Sequence, residues 1–175
     1  MDQYPTIVEQ EIPNHLMTPI EVWLLRYIFG NSDGDDDVWF FADYEHPREY
    51  IYIDDEDDEF ALALKQSRTI DPSFCNEVEE AIDDRCIEVD KLGGCGRIFQ
   101  QIIRRSKGEI PYVRVQGIAN PDRLIDGRLG GYAMIVTADH IESMSTWEWL
   151  DQRLVQLGFQ VPEVTHFVQR SIGED

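Results

Sequence analysis

Apolar residues recur at helical spacing in several segments of the chain, and the most sharply bounded of these segments is residues 19–29. Thr18 is a typical N-cap, Pro19 occupies the first helical position, and Glu21 completes a capping box. Gly30 is a typical residue at the C-terminal end of a helix. This helix has almost no polar face. The pattern therefore predicts either a core helix, which we favour, or half of an interface, such as a homodimer through residues 19–29.

The same periodicity predicts further helices over residues 57–67, 71–86, 97–107 and 145–158. The first of them is the weakest prediction, because its apolar residues also alternate as they would in a strand. Residues 71–86 place apolar side chains on one arc of a helical wheel. The opposite arc carries five carboxylates: Glu77, Glu79, Glu80, Asp83 and Asp84.

The last predicted helix runs over residues 145–158 and begins with a second capping-box pattern. Its spacing predicts a buried stripe composed of Trp147, Leu150, Leu154 and Leu157. Trp149 lies outside this stripe. An off-stripe tryptophan is a candidate contact residue, although packing under the C-terminal tail would explain it equally well.

β-branched and aromatic segments predict strands at residues 38–43, 50–54, 110–118 and 131–137. The first two strands suggest an antiparallel hairpin, because turn-prone residues separate them. The remaining segments are predicted to be an extended arm, a loop and a flexible link, at residues 1–16, 31–37 and 91–96. These elements predict a single α+β domain over residues 1–175. Four or five helices would surround a small, mainly antiparallel sheet, and sub-lobes at 1–90 and 91–175 are left open.

Charge changes this picture, because the formal net charge of the 175 residues is −20. A charge of this size disfavours the compact state through self-repulsion. The simplest reason to keep it is a partner that neutralises it. Direct binding to nucleic acid or to an anionic membrane is disfavoured, since both require a positive surface. A basic protein or a nucleic-acid-binding complex is the partner that the composition favours.

The negative charge is concentrated in residues 33–59, which hold thirteen acidic residues and one basic residue, Arg48. Strand-forming aromatic and β-branched residues are embedded in this acidic belt, so the carboxylates are expected on ordered elements. Trp39, Tyr52 and Trp149 are candidate apolar anchors. With the acidic arc of residues 71–86, the predicted partner-binding carboxylates are Asp33, Asp35, Asp36, Asp37, Asp43, Glu45, Glu49, Asp54, Asp55, Glu56, Asp57, Asp58, Glu59, Glu77, Glu80, Asp83 and Asp84.

One internal stretch, residues 91–130, carries a net charge of +5. Its cations either pack near the acidic half and relieve repulsion or form a second binding surface. The first interpretation is favoured for Arg97, Arg104, Arg105, Lys107 and Arg114.

Other chemistry finds little support in the sequence. The aspartates at 33–37 could ligate calcium, but the EF-hand spacing is absent, and the glycines at 93–96 lack the spacing of a phosphate-binding loop. Among 35 acidic residues some pair will always lie close together, so a hydrolytic carboxylate pair is weakly indicated. We predict no enzyme, no metal and no cofactor.

Three cysteines without framework spacing, Cys75, Cys86 and Cys95, indicate reduced thiols and a cytoplasmic location. The N-terminal residues show no signal-peptide pattern, and no apolar run reaches the roughly 20 residues that span a bilayer.

Carboxylates on neighbouring helical turns lie about 5–6 Å apart. In duplex DNA, the phosphates of one strand have an axial rise of about 3.4 Å per nucleotide and are somewhat farther apart along the backbone. Rows of Asp and Glu can therefore approximate a phosphate track. By charge and size, the 33–59 belt and the 77–84 face resemble the acidic DNA-mimic proteins of phages and mobile elements, the antirestriction and anti-CRISPR proteins. This resemblance covers the first half of the chain. It implies inhibition of a nucleic-acid-binding defence complex and implies no particular fold. The alternative is an immunity- or antitoxin-like protein that neutralises a basic toxin.

Overall fold

The computed structural model describes residues 6–42, 48–54, 58–118 and 131–158. Within these residues the chain forms five α-helices and two antiparallel sheets, which confirms the predicted α+β fold. The helices are α1 Pro19–Phe29, α2 Asp58–Ser67, α3 Pro72–Glu80, α4 Gly94–Arg105 and α5 Thr146–Gln156. Short 3₁₀ turns cover Asn14–Leu16 and Val89–Leu92.

The strands are β1 Thr6–Val8, β2 Ile12–Pro13, β3 Asn31–Asp33, β4 Asp37–Ala42, β5 Tyr50–Tyr52, β6 Ile82–Asp83, β7 Cys86–Glu88, β8 Tyr112–Ile118, β9 Gly131–Thr137 and β10 Ile141–Ser145. In the larger sheet β1 lies between β4 and β8, and β9 and β10 extend the sheet beyond β8. β2 and β3 both pair with β4. Strands β5, β7 and β6 form a separate sheet, called the small sheet below. Both halves of the chain thus contribute strands to the larger sheet.

Helix α1 lies at the centre of the hydrophobic core. Its Phe29 ring packs between Phe40 of β4 and Phe99 of α4, with centroids 6.1 Å from each. The Thr18–Glu21 capping box and the left-handed Gly30 bound the helix as predicted. The core assignment of residues 19–29 is confirmed. The apolar side chains of this helix are buried within the chain, so they offer no apolar surface for the alternative, a homodimer through residues 19–29.

The predicted hairpin of residues 38–43 with 50–54 is wrong. β4 pairs with β1, β2 and β3 in the larger sheet, whereas β5 pairs with β7 in the small sheet. The predicted loop at 31–37 begins with a short strand, β3. This strand pairs with β4 at a position where the sequence predicted β5. Local turn signals indicated a hairpin, and tertiary packing chose other partners for both strands.

The helix predicted over residues 71–86 is also too long. α3 ends at Glu80, and the chain then forms the β6–β7 hairpin through a turn at Asp84 and Arg85. The five-carboxylate helical face is therefore split, with Asp83 and Asp84 on the hairpin. A two-residue turn without glycine leaves little signal in the sequence, which is why the helical pattern extended across it.

The C-terminal part of the described chain differs from prediction in two ways. β10 was not predicted, because its sequence, IESMS, has few strand-favouring residues. α5 begins with the expected capping box at Ser145 and Glu148. Its predicted buried stripe is wrong, however, since Leu150 and Leu157 are exposed and Leu154 is only half-buried; the side chain of Trp147 lies outside the described set. In the described residues α5 packs mainly on β10, so little apolar surface covers it.

Candidate partner-binding surface

The small sheet has one buried face and one exposed face. Ile51 and Ile87 are paired across β5 and β7 and lie fully buried on the inner face. Because strand side chains alternate, Tyr50 and Tyr52 point to the outer face, where they are 50% and 73% exposed. Their cross-strand neighbours on β7 are Glu88 and Cys86. The outer face thus presents two tyrosines next to a carboxylate and a thiol.

A strained turn closes one end of the small sheet. Asp84 and Arg85 have φ values of 44° and 62°, the left-handed region that a type I′ hairpin turn requires at both central positions. The Ile53 N–H donates to the Arg85 carbonyl at 2.9 Å, which places Asp54 next to this turn. Two acidic segments that are distant in sequence, Asp54 and Asp83–Asp84, therefore meet at the same end of the small sheet.

A second acidic group occupies the turn between β3 and β4, where Asp33, Asp35, Asp36 and Asp37 are all exposed. The turn needs Gly34, because φ there is 95° and a Cβ would lie 2.0 Å from the Asp37 carbonyl oxygen. Asn14 holds the turn from outside. Its N–H donates to the Asp36 carbonyl at 2.7 Å, and its side-chain amide donates to the Asp35 carbonyl at 3.2 Å. These carboxylates therefore project from a fixed backbone.

Twelve of the predicted partner-binding carboxylates lie among the described residues, and eleven of them are exposed. The twelfth, Glu77, is half-buried and pairs with Arg97 at 3.5 Å. Within the described ranges, no ion pair involves any of the exposed eleven: Asp33, Asp35, Asp36, Asp37, Glu49, Asp54, Asp58, Glu59, Glu80, Asp83 and Asp84. The remaining predicted residues, Asp43, Glu45, Asp55, Glu56 and Asp57, lie outside the described residues.

The three predicted aromatic anchors have different surroundings. Trp39 is half-buried, because its indole N–H donates to the Val8 carbonyl at 2.7 Å and its ring packs on Phe41. Tyr52 is the most exposed of the three, and Trp149 is 55% exposed on α5. Tyr50 was not predicted as an anchor. The alternation of Tyr50 and Tyr52 around a single isoleucine was the signal that could have identified it.

The basic stretch is largely used inside the fold. Arg97, Arg105 and Arg114 form ion pairs with acidic residues of the first half, so the favoured interpretation is confirmed for these three. Arg104 instead donates from Nε to the Ala138 carbonyl at 2.7 Å. Arg97, Arg105 and Arg114 therefore pair with partly or fully buried carboxylates, and they form no ion pair with the exposed carboxylates of the first half within the described residues.

Arg105 is the centre of a buried junction between three helices. Its guanidinium donates to Glu21 of α1, to Asp71 at 3.1 Å and to the Leu16 carbonyl at 3.2 Å. Asp71 also caps α3 by accepting from the Phe74 N–H at 3.0 Å. The two carboxylates thus lie at helix N-termini and the arginine at the C-terminal end of α4, an arrangement that complements all three helix dipoles.

Glu21 is fully buried in this junction. Burial raises the pKa of Glu21 above its ordinary value, while the neighbouring Arg105 and the Thr18 N–H, which donates to Glu21 Oε2 at 2.7 Å, act in the opposite direction. The other carboxylate oxygen, Oε1, makes no hydrogen bond within the described structure. The arrangement leaves part of the desolvation cost uncompensated.

An open groove of about 390 Å³ lies between β8, β9, β10 and the start of α5. Tyr132 lies across Gly117, where a Cβ would be 2.0 Å from the ring, and its hydroxyl is 3.3 Å from Thr6 Oγ1. Burial raises the pKa of Tyr132. Trp149 also lines the groove. The groove offers apolar contact and no cluster of charged groups.

Metal and membrane chemistry find no support in the described structure. No three His, Cys, Asp or Glu side chains within it are arranged to hold a metal ion. None of its helices combines the length and apolar character needed to cross a bilayer. Comparison with protein-family models, with curated proteins and with solved structures gives no match for this chain.

Proposed function

We propose that this protein inhibits a nucleic-acid-binding complex of the defence type, such as a restriction or CRISPR complex, by presenting an acidic surface that occupies the groove meant for DNA. One observation carries the proposal. The eleven exposed carboxylates of the belt, the end of α3 and the hairpin form no ion pair within the described residues, whereas the less exposed Glu9, Glu21, Asp71 and Glu77 each pair with an arginine. Charge that the fold leaves unneutralised is available to a positively charged partner.

The placement of these carboxylates supports mimicry over a loose polyelectrolyte. They project from the β3–β4 turn, the small sheet and the start of α2. Side chains two positions apart on a strand are about 6.6 Å apart, at about 3.3 Å per residue. Backbone phosphates in DNA are spaced similarly, at somewhat more than their axial rise of about 3.4 Å. The Asp33–Asp37 and Asp83–Asp84 groups are held on turns with a defined backbone, so they offer a basic groove several anionic contacts at once, without a nucleic acid.

A second function, neutralisation of a basic toxin by an immunity- or antitoxin-like protein, is favoured by one specific feature. Tyr50 and Tyr52 are exposed side by side on β5. Tyrosine is enriched at protein interfaces and at binding hot spots, whereas a phosphate track needs no aromatic residue. Both functions act on a basic protein, and both fit the cytoplasm.

The decisive experiment captures the target and then challenges the complex with DNA. The protein is immobilised, a bacterial lysate is applied at low salt, and the bound complex is exposed to a 30-base-pair duplex or to rising NaCl. We expect a nucleic-acid-binding complex that the duplex displaces. A single small basic protein that resists the duplex would support the toxin-neutralising function and overturn mimicry.

Two charge variants make this test specific to the proposed surface. The triple variant D54N/D83N/D84N should weaken capture at least tenfold, because each lost charge removes a contact of the salt-dependent kind. The matched control E109Q/D139N/E142Q removes three exposed carboxylates from the second half and should change capture less than twofold. Equal losses in the two triple variants would show a general charge effect and would contradict a defined surface.

A further inference from the structure

We infer that the free edge of β5 accepts an extended basic segment of the partner as an added strand of the small sheet. The inference rests on the proposed function, since it specifies how the basic partner is held at the same surface. The small sheet has the order β5–β7–β6, so one side of β5 has no neighbouring strand among the described residues. Strand addition to such an edge is a recurring mode of peptide recognition.

The backbone of β5 is oriented for this role. The Val89 N–H donates to the Glu49 carbonyl and the Ile53 N–H donates to the Arg85 carbonyl, at 2.8 and 2.9 Å. Hydrogen-bonded and non-hydrogen-bonded pairs alternate in an antiparallel ladder, so Ile51 also bonds to β7 while Tyr50 and Tyr52 do not. The N–H and C=O groups of both tyrosines therefore point away from β7, and no described residue bonds to them.

The charges around this edge indicate which kind of extended segment can bind there. Asp54, Asp83 and Asp84 lie at one end of the small sheet, and Glu49 precedes β5 at the other. Charged side chains on an exposed edge strand prevent self-pairing, and a second copy of this chain would bring the same carboxylates to the edge. A strand carrying Lys or Arg would instead find a carboxylate near either end. The partner is therefore a basic extended segment of another protein, not a second copy.

The tyrosines add contact area to the backbone pairing. Both side chains stand on the exposed face of β5, so an added strand would place one row of its side chains next to them. A lysine or arginine side chain of the added strand could also form a cation–π contact with the ring of either tyrosine. With three residues, β5 is short. Strand addition here therefore fixes the register and orientation of the partner, and the carboxylates supply the long-range attraction.

The probe is a nine-residue peptide of alternating lysine and valine. Its matched control is the same sequence with N-methyl groups on alternate amides, which keeps every charge but removes one row of hydrogen-bond donors. We expect the control to bind the intact protein at least tenfold more weakly. We also expect the amide protons of Tyr50 and Tyr52 to exchange rapidly in the free protein and to gain at least tenfold protection when the unmodified peptide is bound.

A protein variant provides the complementary test. Tyr52→Pro removes one outward N–H without removing a bond to β7, because that N–H is not part of the ladder. Tyr52→Val keeps the donor and serves as the control, so Y52P should bind the peptide at least fivefold more weakly than Y52V. If Y52P fails to fold, the exchange measurement on the unmodified protein still decides the matter.

The alternative outcomes separate this inference from the proposed function. Equal binding of both peptides, with equal weakening by D54N/D83N/D84N, would overturn strand addition and leave the acidic surface intact. Absence of peptide binding would overturn strand addition, while displacement of the captured target by duplex DNA would still support mimicry. Protection of Tyr50 and Tyr52 by self-association of the peptide-free protein would overturn the choice of occupant.

Discussion

The Arg105 junction and the outer face of the small sheet use the same residue types for opposite purposes. At the junction, Glu21 and Asp71 are held by one arginine and by helix N-termini. On the small sheet, Asp83 and Asp84 are exposed and form no ion pair within the described residues. The net charge of a region therefore does not show whether its carboxylates stabilise the fold or remain exposed to a partner. Carboxylates that cap helices at the junction are paired with arginine, whereas those at the turn of the small sheet are exposed without an ion pair in the described residues.

The variant R105A would test this comparison most strongly. It would leave Glu21 buried without its cation, and removal of one partner from a buried pair costs roughly 3–5 kcal/mol. We expect a loss of about 3 kcal/mol in the free energy of unfolding, measured by urea denaturation. The control R104A removes an exposed arginine that bonds to one carbonyl, and it should cost less than about 1 kcal/mol. Similar losses for the two variants would show that the junction is not a special site.

The pH dependence of stability tests the charge state of Glu21. Because burial raises its pKa above the unfolded value, the folded chain holds more protons between the two values. The contribution of Glu21 to stability is therefore greatest at low pH and declines as the pH rises through that window. The variant E21Q should remove this pH dependence. Its total size is about 1.4 kcal/mol in the free energy of unfolding for each unit by which the folded pKa exceeds the unfolded one. Urea denaturation at pH 4–8 measures it.

The exposed control for this experiment is E142Q, which changes a surface glutamate that forms no ion pair within the described residues. General repulsion among the carboxylates also weakens as the pH falls, and it affects both variants equally. The difference between E21Q and E142Q therefore isolates the buried group. A pH slope that is the same in both variants would contradict an uncompensated burial cost at Glu21.

The smallest expected effect concerns the turn of the small sheet. Arg85 has a φ of 62°, a conformation that costs a residue with a Cβ about 1 kcal/mol. The variant R85G should therefore have a free energy of unfolding about 0.5 kcal/mol higher than that of R85A, after the entropy of glycine in the unfolded chain is included. R85A keeps the Cβ and loses the same side-chain atoms beyond it, so the comparison of the two variants isolates the backbone effect. Thermal unfolding of the two variants gives the difference directly, and an R85A variant as stable as R85G would rule out backbone strain at this position.

Much of the fold was readable from local signals, because helix caps and strand composition act over a few residues. The capping boxes predicted the starts of α1 and α5, and β-branched runs predicted β8 and β9. Pairing was not readable, since β5 finds its partner β7 across an intervening pair of helices. The Asp84–Arg85 turn was missed because both residues adopt positive φ without glycine.

The acidic surface was predicted from composition, while its organisation was not. Sequence identified Asp54 and Asp83–Asp84 as two separate patches, and the pairing of β5 and β6 with β7, extended by the Ile53–Arg85 hydrogen bond, brings them together. Each member of the Arg105 junction also had a predicted local role, as a cap or as a charge partner. Their convergence depends on how α1, α3 and α4 pack, which no local pattern encodes.

The central position of β1 has a consequence for how the chain reaches its native state. Thr6 pairs with Ala42 on one side and with Gly117 on the other. The larger sheet therefore cannot be completed during synthesis until a segment more than a hundred residues downstream has emerged. Such long-range pairing places folding on the millisecond-to-second scale, well behind the microsecond formation of local helices. During that interval the acidic segments repel one another, which slows collapse but also keeps unfinished chains apart.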